Sequence, residues 1–328
     1  VSEPVLIHGQ EFTPSASIGY RMYSEDVKDA ATLLRHADVA MYAAKAAGRG
    51  TGMAYCVDMG AVSNEHMHIQ ARLRSAVEKG AFKLFYQPQV ETATGRIIGA
   101  EALLRWDDPE LGPVSPGRFI PVAEASGQIL PLGEWVLETA CRQIAQWHAM
   151  GMDLQVSINL SPYQFRQEDL VQKIRSACER HHCPVHLLEL EITERAAMQS
   201  PELTNYQLCT LAQAGFSLAL DDFGTGYSSL ARLGRLHVNK LKIDRSFIVE
   251  IPGSKMYETL VRTTISLGQE MGMQLIAEGV ETEAQRQFLE ANGCFAYQGW
   301  LFSKAVPADE FVGLVQKVNG GRELLQEG

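Results

Sequence analysis

Glu101, Asn159, Glu191, Asp221, Asp222 and Glu278 are scattered widely, yet each falls in or at the end of a short apolar run. Oxygen donors placed in that way are candidate ligands for a hard cation. The adjacent pair Asp221 and Asp222, in LALDDFGTGYSSL (218–230), poses the problem most sharply. Like charges so close repel, and each is costly to bury without a positive counterpart. Against the five acids of the set stand Arg105 and Lys242, too few bases for self-neutralisation. Divalent cations are the natural counterweight, and with Asn159 added the donors suit Mg2+ or Mn2+ better than zinc.

Such residues need strands to carry them. From about residue 84 onward, strand-like runs alternate with amphipathic helical stretches. The strand candidates are 83–90, 96–106, 154–160, 187–193, 216–222, 239–244, 273–279 and 296–302, and the helical ones include 132–149, 166–182, 256–272 and 283–292. Eight strands with intervening helices predict an α/β fold, a TIM-like (β/α)8 barrel. The first two strands are joined by VETATG alone, too short for a helical crossover, so one strand is expected to run antiparallel.

Side chains alternate along a strand, so charge and apolarity should separate by face. Glu189 and Glu191 oppose Leu188, Leu190 and Ile192; Lys242 and Asp244 oppose Leu241 and Ile243; Ser157 and Asn159 oppose Val156 and Ile158. Glu101, Leu103 and Arg105 share one face, Ile276 lies with Glu278, and Ala219 lies with Asp221. The apolar face suits outer helices. The polar face then points into the barrel near the C-terminal strand ends, where this fold builds its sites.

Composition narrows the classes further. With 46% hydrophobic and 21% charged residues the chain is expected to bury a full core. No apolar run approaches the roughly 20 residues of a membrane span, and no secretory signal is evident, so a cytoplasmic chain without membrane contact is expected, its parent protein being open to a tether. Six scattered cysteines without a C-x-x-C pair suggest reduced thiols. A net charge of −10 argues against duplex nucleic acid as a partner.

The strings YQPQV, GAEALLRW, SPGRFIPVAEASG, VSINLSP, LELEITE, DDFGTGYSSL, LKIDRSF, AEGVET and QGWLFSKAVP occur in that order between about residues 70 and 318. Together they resemble the EAL family of cyclic-di-GMP phosphodiesterases, whose name triplet stands as Glu101, Ala102 and Leu103. The resemblance implies hydrolysis of cyclic-di-GMP to linear pGpG with two divalent cations, Mg2+ or Mn2+, in a homodimer formed through the barrel. It implies that Glu101, Asn159, Glu191 and Asp221 hold one ion, and that Asp221 bridges to a second held by Asp222 and Glu278. Lys242 matches the lysine beside the attacking water, and with Glu101 and Glu278 makes up the catalytic set. Arg105, Gln87, Leu103, Gln298 and Glu281 match substrate-side positions, and Glu194 the anchor of the DDFGTGYSS loop. Two departures, WDDP (106–109) without the usual histidine and Ala305 in place of a common proline, are expected to matter only at the surface or in loops.

Residues 17–50 resemble the closing segment of a GGDEF diguanylate cyclase domain, without the part that carries its nucleotide site. The expected organisation is a GGDEF-like fragment without a cyclase site (1–55, a short N-terminal α/β piece), a helical linker (56–79), the barrel (80–320) and a tail (321–328). CERHHC (178–183) invites a zinc reading, but it ends a helix before Pro184, where neighbouring side chains diverge. Trp135 and Trp147 read as packing, and His66 and His68 as solvated linker. Two other classes compete: a catalytically silent cyclic-di-GMP receptor, which predicts gaps in the ligand set that are not found, and an enolase-like barrel using Lys242 as base, which would need a sizeable capping domain.

Overall fold

Alternation of the kind seen in LLELEIT and KLKID folds into strands with one face against helices and the other turned inward. The computed structural model describes residues 5–7, 10–12, 15–23, 27, 29–46, 50–199, 201–225, 233–234 and 236–320. Two units divide the chain, Val1–Arg74 and Ser75–Gly328.

The first unit contains a hairpin of β1 (Val5–Ile7) and β2 (Gln10–Phe12). It also holds β3 (Ile18–Tyr20), helix α1 (Ala30–Ala46) and β4 (Gly52–Ala54), with β3 and β4 paired in parallel. Helix α1 lies so close over β3 that a Cβ at Gly19 would sit 2.0 Å from the Ala37 carbonyl oxygen. The boundary between the units falls within α2 (Val57–Lys79).

The second unit is a closed barrel. Its strands are β5 (Phe82–Glu91), β6 (Ile97–Asp108), β8 (Gln155–Asn159), β9 (Leu188–Thr193) and β10 (Ser217–Phe223), followed by β11 (Lys240–Ile243), β12 (Gln274–Ala277) and β13 (Ala296–Tyr297). The order around the barrel is β5-β13-β12-β11-β10-β9-β8-β6, and β6 pairs back to β5. As the short VETATG link requires, β5 is antiparallel, to both β6 and β13; a short β7 (Gly112–Val114) extends β6 outside the barrel. Around it pack α3 (Pro116–Ser126), α4 (Ile129–Ala149), α5 (Leu170–His181), α6 (Glu194–Gln199) and α7 (Pro201–Gln213). The circuit closes with α8 (Arg245–Ile248), α9 (Lys255–Glu270), α10 (Glu283–Ala291) and α11 (Ala308–Val315).

One apolar cluster joins the outward strand residues, such as Val156, Leu190, Leu220 and Leu241, to helical Ile144, Ile174, Leu211 and Ile265. Each such side chain contributes roughly 1.5–3 kcal/mol on burial. Trp147 stacks on Phe311 at 4.9 Å and meets Tyr86 edge-on at 4.8 Å, sealing the seam where antiparallel β5 lies between β6 and β13. Trp147 is thus packing, as its place on an amphipathic helix predicts.

Several elements are shorter than the sequence pattern predicts, two of them for visible local reasons. The run 296–302 supplies only two sheet residues, because the chain turns at Gln298 and Gly299; a Cβ at Gly299 would lie 2.1 Å from the Val280 carbonyl oxygen. Helix α5 begins at Leu170 rather than 166, after a single 3-10 turn over Gln164–Arg166.

Candidate active site

Parallel strands in register stack their inward side chains in layers. Asn159 lies beside Glu191, and Glu191 beside Ala219, whose small side chain leaves room in the layer. Lys242 rises into this space from β11, fully buried, and meets acids from four other strands or strand ends. Its Nζ is 2.6 Å from Glu191, 2.6 Å from Glu278, 3.4 Å from Glu101 and 3.4 Å from Asp221. Amides steady the acids: Asn159 donates to Glu101 at 2.8 Å, and Gln298 donates to Glu101 at 2.6 Å and to Glu278 at 3.1 Å.

The mouth is therefore short of positive charge. Burial pushes the Glu191 carboxyl well above the usual range despite Lys242, and raises Asp221 for the same reason. Burial likewise pushes Glu278 up to about 8, and burial with the neighbouring Asp221 pushes Asp222 up to about 6. At Glu101 burial acts upward too, but Lys242, Gln298 and Asn159 together prevail and hold the carboxyl low. Burial alone would lower Lys242; the surrounding carboxylates prevail and hold it as an ammonium.

These residues fit divalent cations. The Oε1 atom of Glu191 is buried without a hydrogen-bond partner, an arrangement that is costly unless a cation satisfies it. The donors are oxygens from carboxylates and one amide, the set that hard ions take.

Adjacent aspartates reach one site through a local distortion. Asp222 takes a left-handed backbone (φ 56°), and the β10–β11 register breaks between Leu220 and Phe223. A regular strand would send the two side chains to opposite faces; the bulge re-aims them. The Asp222 amide donates to Asp221 Oδ1 at 2.9 Å. Beyond the strand, buried Glu194 accepts from the Gly224 amide at 3.0 Å, an anchor at the start of the loop. Gly226, Tyr227, Ser228 and Ser229 of that loop lie outside the described residues. On β12 the chain leaves Glu278 through Gly279 at φ 67°, where a Cβ would meet Arg245 at 2.3 Å.

The residues expected on the substrate side divide. Arg105 is half-buried at the mouth, its guanidinium 5.7 Å from the Phe85 ring and donating to the Leu104 carbonyl. Gln87 faces Glu101 across the β5–β6 ladder and donates to the Ser303 carbonyl at 3.4 Å, and Leu103 is half-buried beside them. Glu281, in contrast, pairs with Arg245 at 2.8 Å on the exposed rim, outside the contacts that surround Lys242. In WDDP, Asp108 is buried and accepts from the Glu110 and Leu111 amides, so it forms the β6–β7 turn rather than decorating the surface.

Sequence reading passed over a second buried pair. One layer below, Lys240 and Glu189 approach to 2.8 Å; Gln155 accepts from Lys240 at 2.9 Å and Ser217 donates to Glu189 at 3.0 Å. The period of two that placed Glu191 and Lys242 inside places these residues inside as well. Gln89 is a further omission: it is buried and donates to the Ser157 hydroxyl and to Gln298 Oε1, both at 3.4 Å, which favours the Gln298 side-chain NH2 facing the acids.

Comparisons with known proteins agree with this fold. The EAL domain family matches residues 70–305, and the diguanylate cyclase GGDEF domain matches residues 1–51. MucR of Pseudomonas aeruginosa, a bifunctional diguanylate cyclase/cyclic di-GMP phosphodiesterase, is 41% identical over 317 residues, which cover 96% of this chain and 46% of MucR. The cyclic di-GMP phosphodiesterase PdeR of Escherichia coli is 36% identical over 304 residues, 92% of this chain and 45% of PdeR. The chain thus spans less than half the length of these curated relatives. Among solved structures, the c-di-GMP complex of the PaMucR phosphodiesterase has a TM-score of 0.72 at 42% identity, covering 74% of this chain and 99% of that one.

Proposed function

This chain belongs to the EAL domain family, and from that premise we propose that it hydrolyses cyclic-di-GMP to linear pGpG. The observation that carries the reading is the convergence of Glu101, Glu191, Asp221 and Glu278 on the single ammonium of Lys242, with Asp222 alongside. Asn159 and these five acids would hold two divalent cations, Mg2+ or Mn2+. When bound, the cations would neutralise the phosphodiester and make a water a competent nucleophile at neutral pH.

The protein's own groups supply the rest. Lys242 Nζ, held protonated by its acid neighbours, donates to the water oxygen and keeps it in line with phosphorus. Arg105 offers a guanidinium fork for phosphate oxygens from the same strand that carries Glu101. Gln298 holds Glu101 and Glu278 apart and oriented through its two donated bonds. Glu194 ties the loop after Asp222 and so fixes where that acid points. Overall, one P–O bond to a ribose 3′ oxygen breaks, water supplies the new P–O bond, and the leaving ribose oxygen takes up a proton given up by that water.

Homodimerisation through the barrel and a cytoplasmic place are part of the same proposal. Among the described residues no helix is long and apolar enough to cross a membrane. The test is incubation with cyclic-di-GMP and Mg2+ or Mn2+, with an EDTA control, followed by chromatography. Metal-dependent appearance of pGpG is the expected outcome. Tight binding without pGpG under every metal condition would instead identify a nucleotide receptor.

A further inference from the structure

Half of the cysteines converge away from the barrel mouth. Cys141 on α4, Cys178 in the last turn of α5 and Cys183 just after it place their Sγ atoms within 4.8 Å of one another, and all three are buried. The Cys141 and Cys178 sulfurs are 3.8 Å apart. Local backbone chemistry builds this convergence. His182 adopts a left-handed conformation (φ 55°), and the Cys183 amide then donates to the Cys178 carbonyl at 2.9 Å, folding the chain back on its own helix.

The first histidine of CERHHC is occupied elsewhere. His181 contacts Glu138 of α4 at 2.6 Å, where Arg180 also pairs with Glu138, clamping the end of α5 to α4. The sequence expectation that neighbouring side chains of this string diverge is right for His181, which turns to Glu138 of α4. It fails for the two cysteines, because the turn at His182 reverses the chain. A cleft of about 560 Å3 lined by Cys178, Glu179, His182, Cys183, Val185 and Phe216 leads to the thiols.

We propose that Cys141, Cys178 and Cys183 form a three-thiolate site for one soft d10 cation of the Zn2+ or Cu(I) class. Thiolates about 2.3 Å from a shared ion stand about 3.8–4.0 Å apart. The Cys141–Cys178 spacing already meets that requirement, and closing the remaining distances takes side-chain rotation rather than a new fold. Sulfur donors separate this site chemically from the oxygen donors at the mouth, so the two select different ions. An ion here would pin α4, α5 and the segment that enters β9, the strand that carries Glu189 and Glu191.

Titration of the full chain with Cd2+, in excess Mg2+ to occupy the carboxylates, tests this through the ultraviolet sulfur-to-cadmium charge-transfer band. One Cd2+ per chain should give the band and Zn2+ should displace it. Cys178→Ser should weaken binding by more than about a hundredfold, beyond the loss typical of an outer-shell partner. Cys209→Ser should leave binding unchanged. Absence of the band in the wild type, or its retention in Cys178→Ser, would overturn the proposal. If Cys178→Ser fails to fold, X-ray absorption on the Cd2+-loaded wild type decides: three sulfur neighbours support the site, and fewer than three refute it.

Discussion

Strands β9 and β11 each carry the same residue type twice, two positions apart, and the two resulting glutamate–lysine pairs lead different lives. In the lower layer Lys240 and Glu189 form one pair at 2.8 Å, with Gln155 and Ser217 completing their bonds. In the upper layer Lys242 contacts four carboxylates, Glu191 retains an unpartnered oxygen, and Glu278 and Asp222 are pushed toward protonation. Burial is common to both pairs, so burial alone does not mark a reactive site. Charge balance does: the lower pair neutralises itself, whereas the upper cluster needs something positive that the chain does not supply.

The largest expected effect comes from breaking the upper layer. Glu101→Ala or Glu191→Gln should lower turnover of cyclic-di-GMP by at least about a thousandfold, since each removes a donor to ions that supply several kcal/mol of charge stabilisation. Circular dichroism should show an intact fold. Breaking the lower layer should do the reverse. Lys240→Met leaves Glu189 buried and unpaired, and chemical denaturation should show a loss of about 3–5 kcal/mol. Turnover per folded molecule should persist, and Lys240→Met with Glu189→Leu should recover most of the stability.

A smaller effect is expected at the loop anchor. Glu194→Ala removes the bond to the Gly224 amide and should cost about 10–100-fold in activity or cation affinity, as the loss of an outer-shell partner does. The smallest effect is a pH dependence of melting temperature. Glu278 is raised from an ordinary 4.5 to about 8 and Asp222 from 3.8 to about 6, so each carboxyl holds its proton longer in the folded state. Their contribution is fully present below the ordinary values and is lost as pH rises through the raised ones. Cation-free protein should therefore lose stability from these groups between about pH 4 and 8. Mg2+ favours the ionised forms, so the rise in melting temperature that it induces should grow across that window, and Glu278→Gln should flatten the trend.

Much of this was legible because the barrel obeys simple periodicities. The alternation in LLELEIT and KLKID puts Glu191 and Lys242 inside, and the short VETATG link fixes the antiparallel β5. What escaped was charge pairing between strands distant in sequence. Glu189 and Lys240 share the inward face of Glu191 and Lys242, but only the folded contact at 2.8 Å reveals that they satisfy each other. Backbone exceptions were equally hidden: the left-handed Asp222 aims two adjacent acids together, and the left-handed His182 gathers the cysteines. The pairing of Glu281 with Arg245 at the rim was likewise hidden, since the two residues lie 36 positions apart in the chain.

Counting bound Mn2+ by isothermal titration in wild type, Glu191→Gln and Glu189→Gln tests the contrast between layers most directly. The account predicts two ions in the wild type, fewer or far weaker ions in Glu191→Gln, and two ions still bound by folded Glu189→Gln. A wild type that binds no Mn2+, or a Glu189→Gln variant that loses its ions while Glu191→Gln keeps them, would contradict it.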